Sequence, residues 1–179
     1  MLGKIRRINK RYFKLINVII LWSFCCVVSS SVYKNVTTSE PLGYYLGYKA
    51  FTYDVGDLVL LCIEDSKYIN VMHKLGAIRT DGECKNGTAY LLKRIIAKSG
   101  DIVTITENGI IVNNIHYLHS KGLLSYNGIQ LFPQKKRQIK LKGREYFVLG
   151  DGNTSFDSRY FGVINVNQIA KKAVLIIKQ

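Results

Sequence analysis

The sequence of 179 residues is poor in the residue types that mark several common protein classes. Its 2 prolines and 15 glycines are too few for a collagen-like or proline-rich low-complexity chain. Its 4 cysteines are too few for a disulfide-stapled miniprotein, and no internal repeat stands out. Because hydrophobic residues make up 47% and charged residues 21% of the chain, we expect a folded domain of ordinary size rather than a disordered tail.

Familiar catalytic signatures are also missing. The chain has no His-Glu-x-x-His, no Gly-x-Ser-x-Gly and no phosphate-binding Gly-x-x-x-x-Gly-Lys motif. His116 and His119 have no carboxylate or cysteine ligand close in sequence, so we predict no metal site, and no cofactor is expected. A Ser-His-Asp triad is not excluded, but no pattern frames one of these histidines as its base.

The charge distribution separates the N-terminus from the rest of the chain. Of 26 Lys and Arg residues, six lie in residues 1–14, which contain no acid. Residues 15–33 carry no charge, and as a helix they would span about 28 Å, close to the ~30 Å hydrocarbon core of a bilayer. We predict a cytoplasmic basic segment at 1–14, a transmembrane anchor at 15–33 and an extracytoplasmic domain at 34–179. The alternative is a cleaved signal peptide, since the serines at 29–31 are small enough for a cleavage site.

The excess of basic residues beyond the anchor is scattered along the chain. Residues 34–179 contain 20 basic and 12 acidic residues, and no helix or RNA-binding motif gathers the bases together. A basic surface near anionic lipid headgroups explains this excess at least as well as nucleic acid does. We therefore predict membrane lipid as a partner and no nucleic-acid binding.

The extracytoplasmic domain is predicted to be mainly β, since short apolar or alternating segments are separated by glycine-containing turns. Asn108-Gly109 is the strongest hairpin signal. Strands are predicted at residues 58–63, 90–97, 102–106, 110–112, 138–142, 145–149 and 173–177. After residue 40 we expect no long helix, apart from a short piece near residues 168–172. Residues 66–88 and 114–135 are interpreted as loops or an inserted hairpin.

Lys93 is a charged residue on an apolar strand face. Period-two alternation places it on the same face as Leu91 and Ile95. Lysine is rarely buried without a reason, and burial would lower its pKa and make a neutral amine available as a general base. The alternative is an edge-strand lysine that reaches water along its apolar stem.

Two further segments are rich in groups that can orient a reaction. In residues 35–45 (NVTTSEPLGYY), Pro41 and Gly43 suit a fixed loop that presents Ser39. Residues 149–162 (LGDGNTSFDSRYFG) are dense in polar side chains, although such a composition usually means a solvated turn.

Together with Lys93, these segments resemble the signal peptidase I superfamily of Ser/Lys proteases. Ser39 falls at the family's nucleophile position and Lys93 in its Lys-Arg strand. Residues 155–162 (SFDSRYFG) match its Ser-x-Asp-Ser-Arg-Tyr-x-Gly motif, and residues 93–101 (KRIIAKSGD) resemble its Lys-Arg-x-x-x-x-x-Gly-Asp run. The resemblance covers nearly the whole chain. It implies a mainly antiparallel β-sheet domain, following one transmembrane helix, against the outer face of the membrane.

The resemblance also implies a role for each matching residue. Ser39 would be the nucleophile and Lys93 the general base. The Ser39 backbone N–H and the Thr37 hydroxyl would hold the oxyanion. Ser155 would orient Lys93, and the pair Asp157 and Arg159 would hold its loop without taking part in the chemistry.

The residues after Ser39 (SEPLGYY) resemble the TraF branch, conjugative-transfer peptidases that mature pilins. The expected function is a serine endopeptidase of the bacterial inner membrane, with its catalytic domain outside the cytoplasm. Its partners would be a precursor substrate, a pilin or another exported preprotein, and other proteins of the conjugation apparatus. A general leader peptidase and a non-catalytic component of the same apparatus are the alternatives; a LexA-like repressor is disfavoured because DNA-binding helices are missing. Whether water or the substrate's own amine resolves the acyl-enzyme stays open.

Cys62 and Cys84 would both lie in an oxidising compartment. A disulfide between them and two independent small apolar side chains are both compatible with the sequence, which leaves the choice open.

Overall fold

The computed structural model describes residues 12, 14–20, 22 and 31–179. Residues 12, 14–20 and 22 are helical. Within these described ranges, no helix has both the length and the apolarity to cross a bilayer. Of the predicted basic segment and anchor, residues 1–11, 13, 21 and 23–30 lie outside the described residues. Strand β1 (Val32–Asn35) includes the last two residues of the predicted anchor, because β-branched and aromatic side chains fit a pleated strand well.

The described part of the domain is mainly β, in agreement with the predicted fold class. Its strands are β1 Val32–Asn35, β2 Gly43–Tyr48, β3 Leu58–Leu61, β4 Leu91–Ala97, β5 Ile102–Thr106, β6 Gly109–Val112, β7 Ile115–Tyr117, β8 Ser125–Tyr126, β9 Ile129–Gln130, β10 Arg137–Lys140, β11 Glu145–Leu149, β12 Ile164–Asn165 and β13 Ile169–Lys178. Two helices, α1 Ser66–Lys74 and α2 Ser158–Phe161, and one 3-10 helix, Val166–Gln168, join them.

The strands form one large sheet and two smaller ones. The large sheet has seven strands in the order β1-β2-β13-β3-β4-β11-β12. A four-stranded sheet has the order β10-β5-β6-β7, and β8 pairs with β9 alone. The described registers from β2 to β12 are antiparallel. Strand β4 therefore lies inside the large sheet, with β3 on one side and β11 on the other.

Apolar residues on β4 face the interior from both sides of the sheet. Leu91 and Ile95 belong to a cluster that includes Val59 of β3 and Val148 of β11. Ile96 belongs to a second cluster, which is shared with the four-stranded sheet. A strand covered on both faces reads as a nearly continuous apolar run, and this explains why β4 was predictable from sequence.

Three predictions about local structure are wrong. Residues 66–74 are not a loop but helix α1, which begins after the N-cap Asp65, whose side chain accepts a hydrogen bond from the Lys67 N–H. The short helix near residues 168–172 lies instead at Val166–Gln168, where Asn165 and Gln168 form a capping box. Residues 169–172 belong to β13, which starts four residues earlier than predicted.

Candidate active site

Lys93 is buried at the centre of β4, with 3% of its surface exposed. It lies opposite Val59 of β3, in a strand with neighbours on both sides. An edge-strand lysine that reaches water is therefore not what the structure contains. Because Lys93 follows the alternation of Leu91 and Ile95, its side chain lies on the face that those residues share.

The environment of Lys93 favours the neutral amine. Its Nζ donates a hydrogen bond of 2.8 Å to Ser155 Oγ, and Ser155 is itself buried. Burial lowers the pKa of Lys93 from 10.5 to about 8; Asp157 and Glu40 oppose this shift, and Arg159 adds to it. The amine can therefore accept a proton at mildly alkaline pH, as a general base requires.

The loop after β11 lies against the backbone of Ser39. The Asp151 N–H donates a hydrogen bond of 2.6 Å to the Ser39 carbonyl. A Cβ at Gly150 would lie 2.4 Å from Ser155 Oγ and 2.8 Å from the Ser39 carbonyl oxygen. Ser39 and Ser155 thus converge on a position that accepts only glycine. Among the residues that the structure describes, no hydrogen bond joins the Ser39 hydroxyl to Lys93 Nζ.

Asn35 organises the turn that presents Ser39. Its side-chain amide donates to the backbone carbonyls of Thr37, Glu40 and Pro41, at 3.0, 2.9 and 3.1 Å. Its Oδ1 accepts from the Thr37 N–H and from the Thr37 hydroxyl. The Thr37 hydroxyl, predicted to serve the oxyanion, therefore donates its proton to Asn35 in this structure and would have to rotate for that role. Asn35 carried no predicted role, although an Asn two residues before a Thr is typical of an Asx turn.

Asp157 and Arg159 form a buried ion pair at the start of α2. Arg159 Nε and Nη2 donate to the two carboxylate oxygens of Asp157 at 2.8 and 2.5 Å. The same carboxylate accepts from the Gly150 N–H at 3.0 Å, and the guanidinium donates to the carbonyls of Gly152 and Asn153. The pair thereby holds the 150–155 segment that contacts Ser39 and Lys93.

A second ion pair, which sequence reasoning missed, joins the Ser39 turn to β4, with its carboxylate buried and its arginine partly exposed. Glu40 is 2% exposed, and its Oε2 accepts a hydrogen bond of 2.8 Å from Arg94 Nη2. Burial raises the pKa of Glu40 from 4.5 to about 7, although Arg94 opposes the shift. The sequence signal for it was slight: a carboxylate directly after the candidate nucleophile and directly before Pro41.

Cys62, directly after β3, is joined to Cys84 by a disulfide. In the described part of the chain, no group of His, Cys, Asp and Glu side chains could hold a metal ion.

Comparison with known proteins places these residues in a family context. The model of the family described as signal peptidase, peptidase S26, matches residues 9–178. The chain belongs to this family.

Three relatives of this chain are named as transfer proteins. Two Escherichia coli proteins named plasmid transfer protein TraF are 30% and 31% identical over 144 and 137 residues, each covering 75% of this chain and 76% of the relative. The conjugal transfer protein TraF of Agrobacterium tumefaciens (strain 15955) is 30% identical over 131 residues, 73% of each chain. The crystal structure of a signal peptidase I from Enterococcus faecalis V583 is similar to 72% of this chain and 100% of its own, at 16% identity and a TM-score of 0.38.

Membership of the signal peptidase family identifies this chain as a member of a serine peptidase family. Family membership therefore makes the chemistry of Ser39, Lys93 and Ser155 relevant. A buried amine of lowered pKa, oriented by a hydroxyl, is the kind of base that a serine nucleophile needs in place of a histidine.

Proposed function

We propose that this chain is a serine endopeptidase in which Ser39 is the nucleophile and Lys93 the general base. The observation that carries the proposal is the burial of Lys93 against Ser155, with a pKa of about 8. A buried lysine inside a sheet costs stability, so its presence needs an explanation. Work as a proton acceptor supplies one, whereas a non-catalytic component of a transfer apparatus would have no use for it.

The proposed reaction proceeds through an acyl-enzyme. Neutral Lys93 takes the proton of the Ser39 hydroxyl as Oγ attacks the scissile carbonyl. The Ser39 N–H and the Thr37 hydroxyl, once it has turned away from Asn35, donate to the oxyanion. Protonated Lys93 then gives its proton to the leaving amine, and in the second half-reaction it activates the water or the substrate amine that releases the acyl group.

The proposed substrate is an exported precursor, specifically a pilin of a conjugative transfer system. The names of the relatives, plasmid transfer protein and conjugal transfer protein, support the conjugation role, and the pilin follows from the resemblance of the residues from Ser39 onward to the TraF branch. The proposed location is the bacterial inner membrane, with an anchor that begins at residue 15 and ends before strand β1, the N-terminus in the cytoplasm and the β domain outside it. Ser39 lies six residues after Tyr33, at most ~21 Å of extended chain. A nucleophile at that distance would meet precursors as they leave the bilayer.

Mass spectrometry of a candidate pilin precursor, co-expressed with the full chain, tests the proposal. The unsubstituted protein should remove a defined terminal peptide, while Ser39→Ala and Lys93→Met should not. Ser99→Ala and Lys140→Met, which replace exposed residues of the same types, serve as matched controls and should cleave normally. A product lighter than the linear fragment by one water indicates cyclisation.

Two results would contradict the proposal in different ways. Cleavage by Lys93→Met at the normal rate would rule out Lys93 as the base. Cleavage of ordinary exported proteins but not of the pilin precursor would replace the conjugation role with that of a general leader peptidase.

A further inference from the structure

Glu40 is a buried carboxylate whose hydrogen bonding is half complete. Its side chain is fully buried, and Oε2 is paired with Arg94. Within the described residues, Oε1 has no hydrogen-bond partner. A buried oxygen left without a partner costs free energy, and native structures contain few such atoms. This carboxylate therefore needs an explanation beyond stabilising the fold.

The contacts of Glu40 link the two proposed catalytic residues. Glu40 follows Ser39 directly in the chain, and its partner Arg94 follows Lys93 directly on β4. The Glu40 carbonyl is fixed by Asn35, and Arg94 also donates to the Gly56 carbonyl at 3.1 Å. The ion pair thus joins the turn that carries the nucleophile to the strand that carries the base.

The charged groups around this pair are few and can be named. The charged groups that shift the pKa of Lys93 are Asp157, Glu40 and Arg159. Those that shift the pKa of Glu40 are Arg94, Asp151 and Lys93. Tyr45, whose hydroxyl donates to the Pro41 carbonyl at 2.7 Å, has its pKa raised by burial first and then by Glu40. Asp151 lies 3.8 Å from Arg94 Nε, but it is exposed.

We propose that Glu40 is a positioning residue that ties the Ser39 turn to β4 and whose negative charge holds the proton on Lys93. This inference rests on the Ser39/Lys93 peptidase proposed above. With a pKa of about 7, Glu40 is anionic over the range in which Lys93 loses its proton. An anion stabilises a nearby ammonium, so Glu40, together with Asp157, raises the pH at which the base becomes available.

The test measures the titration of Lys93 without relying on catalysis. The full chain is prepared in detergent micelles as Ser39→Ala with ¹³Cε-labelled lysine, and the Lys93 NMR signal is assigned by its loss in Lys93→Met. Adding Glu40→Gln keeps the size of the side chain and an oxygen for Arg94 while removing the charge. We expect the Lys93 midpoint to fall by roughly 1 in pH. Asp151→Asn, which removes an exposed charge on the other side of Arg94, should leave the midpoint where it was.

Two outcomes overturn the inference. An unchanged Lys93 midpoint in Glu40→Gln would show that Glu40 has no hold on the base. An equal fall in Asp151→Asn would show a general effect of net charge. If Glu40→Gln does not fold, the Lys93 titration is measured in the protein with Glu40 intact. Its Lys93 signal must then show a second, smaller inflection near pH 7 as Glu40 ionises, and the lack of that inflection overturns the inference.

Failure of this inference and failure of the peptidase proposal give different results. A fall in the Lys93 midpoint together with no detectable cleavage of any precursor would retain the coupling and reject the enzyme. Cleavage by the unsubstituted protein, together with an unchanged Lys93 midpoint in Glu40→Gln, would retain the enzyme and reject the coupling.

Discussion

Two ion pairs with a buried carboxylate lie in the candidate site, and they differ in how completely the hydrogen bonds of that carboxylate are satisfied. The Asp157 carboxylate accepts from the N–H groups of Gly150 and Arg159 and from the Arg159 guanidinium. The Glu40 carboxylate accepts from Arg94 alone among the described residues, and Oε1 is left without a partner. The two pairs use the same kinds of side chain in one domain.

This difference distinguishes the Asp157 pair, which has a structural role, from the Glu40 pair, whose carboxylate can change its charge near neutral pH. A fully hydrogen-bonded buried pair fixes the backbone around it. Burial raises the pKa of Glu40 to about 7, and its one arginine partner opposes that rise without cancelling it. We expect substitutions at Asp157 to act mainly on stability, whereas those at Ser39 and Lys93 act mainly on turnover.

Replacing Lys93 is expected to give the largest effect. Lys93→Met should reduce kcat/KM by at least ~10⁴-fold, as removal of a base that works with a nucleophile does. It should also stabilise the fold near pH 7, because an ammonium buried without a carboxylate of its own is replaced by a thioether. Kinetics with a cleavable precursor and urea unfolding measure the two effects.

The pH dependence of that stabilisation follows from the pKa of Lys93. Its pKa is about 8 in the folded protein against 10.5 ordinarily, so between these values the unfolded chain binds more protons. The stability of the unsubstituted protein therefore rises with pH across this window. The advantage of Lys93→Met should shrink from about pH 8 upward; a constant advantage would contradict the buried, neutralised lysine.

Breaking the satisfied pair should mainly reduce stability. Asp157→Asn leaves the Arg159 charge buried without its partner and should lower the free energy of unfolding by about 3–5 kcal/mol. Asp81→Asn, which breaks an exposed pair with Arg79, is the matched control and should change it little. Urea denaturation followed by circular dichroism measures both. Equal effects would mean that burial does not distinguish the two pairs.

Thr37 tests whether the turn residue contributes to the reaction. Thr37→Val should slow cleavage by about 100-fold or more, since one oxyanion donor contributes ~2.7–4 kcal/mol. Thr38→Val, at the exposed neighbouring position, is the control and should cleave at nearly the normal rate. If Thr37→Val also cleaves normally, the Thr37 hydroxyl stays with Asn35 throughout the reaction and has no oxyanion role.

The disulfide provides stability away from the reacting groups. The double substitution Cys62→Ala and Cys84→Ala opens a loop of 22 residues' separation and should lower the free energy of unfolding by roughly 3 kcal/mol. The cleavage rate of the remaining folded protein should be nearly unchanged. A large fall in kcat with stability intact would instead connect this bridge to the site.

The elements that were predictable from sequence are those whose ends are marked by the residues next to them in the chain. Strand β11 has the predicted bounds and β4 differs by one residue, because short apolar runs are bounded by polar or glycine-containing turns. Helix α1 has an apolar face, since Tyr68, Met72 and Leu75 repeat at helical spacing and contact the core. It was missed because it is only nine residues long, and a repeat that short is a weak helix signal. The start of β13 was missed because Lys171 and Lys172 look solvated, yet both pair with β3.

The candidate site divides in the same way. Ser39, Lys93 and Ser155 were predicted because each lies in a short, contiguous sequence motif. Glu40 was not, because its significance depends on burial and on Arg94, 54 residues away in sequence. Asn35 was missed because its spacing to Thr37 indicates at most an Asx turn, whereas its amide also donates to the carbonyls of Glu40 and Pro41.

The central claim is that Lys93 works as a neutral base, and the pH dependence of kcat/KM tests it most directly. With a precursor peptide as substrate, the account predicts low activity below pH 7, where Lys93 holds its proton. Activity should then rise with a midpoint near the Lys93 pKa of about 8. A profile that is flat from pH 6 to 9, or one with the midpoint of an ordinary histidine near ~6.5, would contradict it.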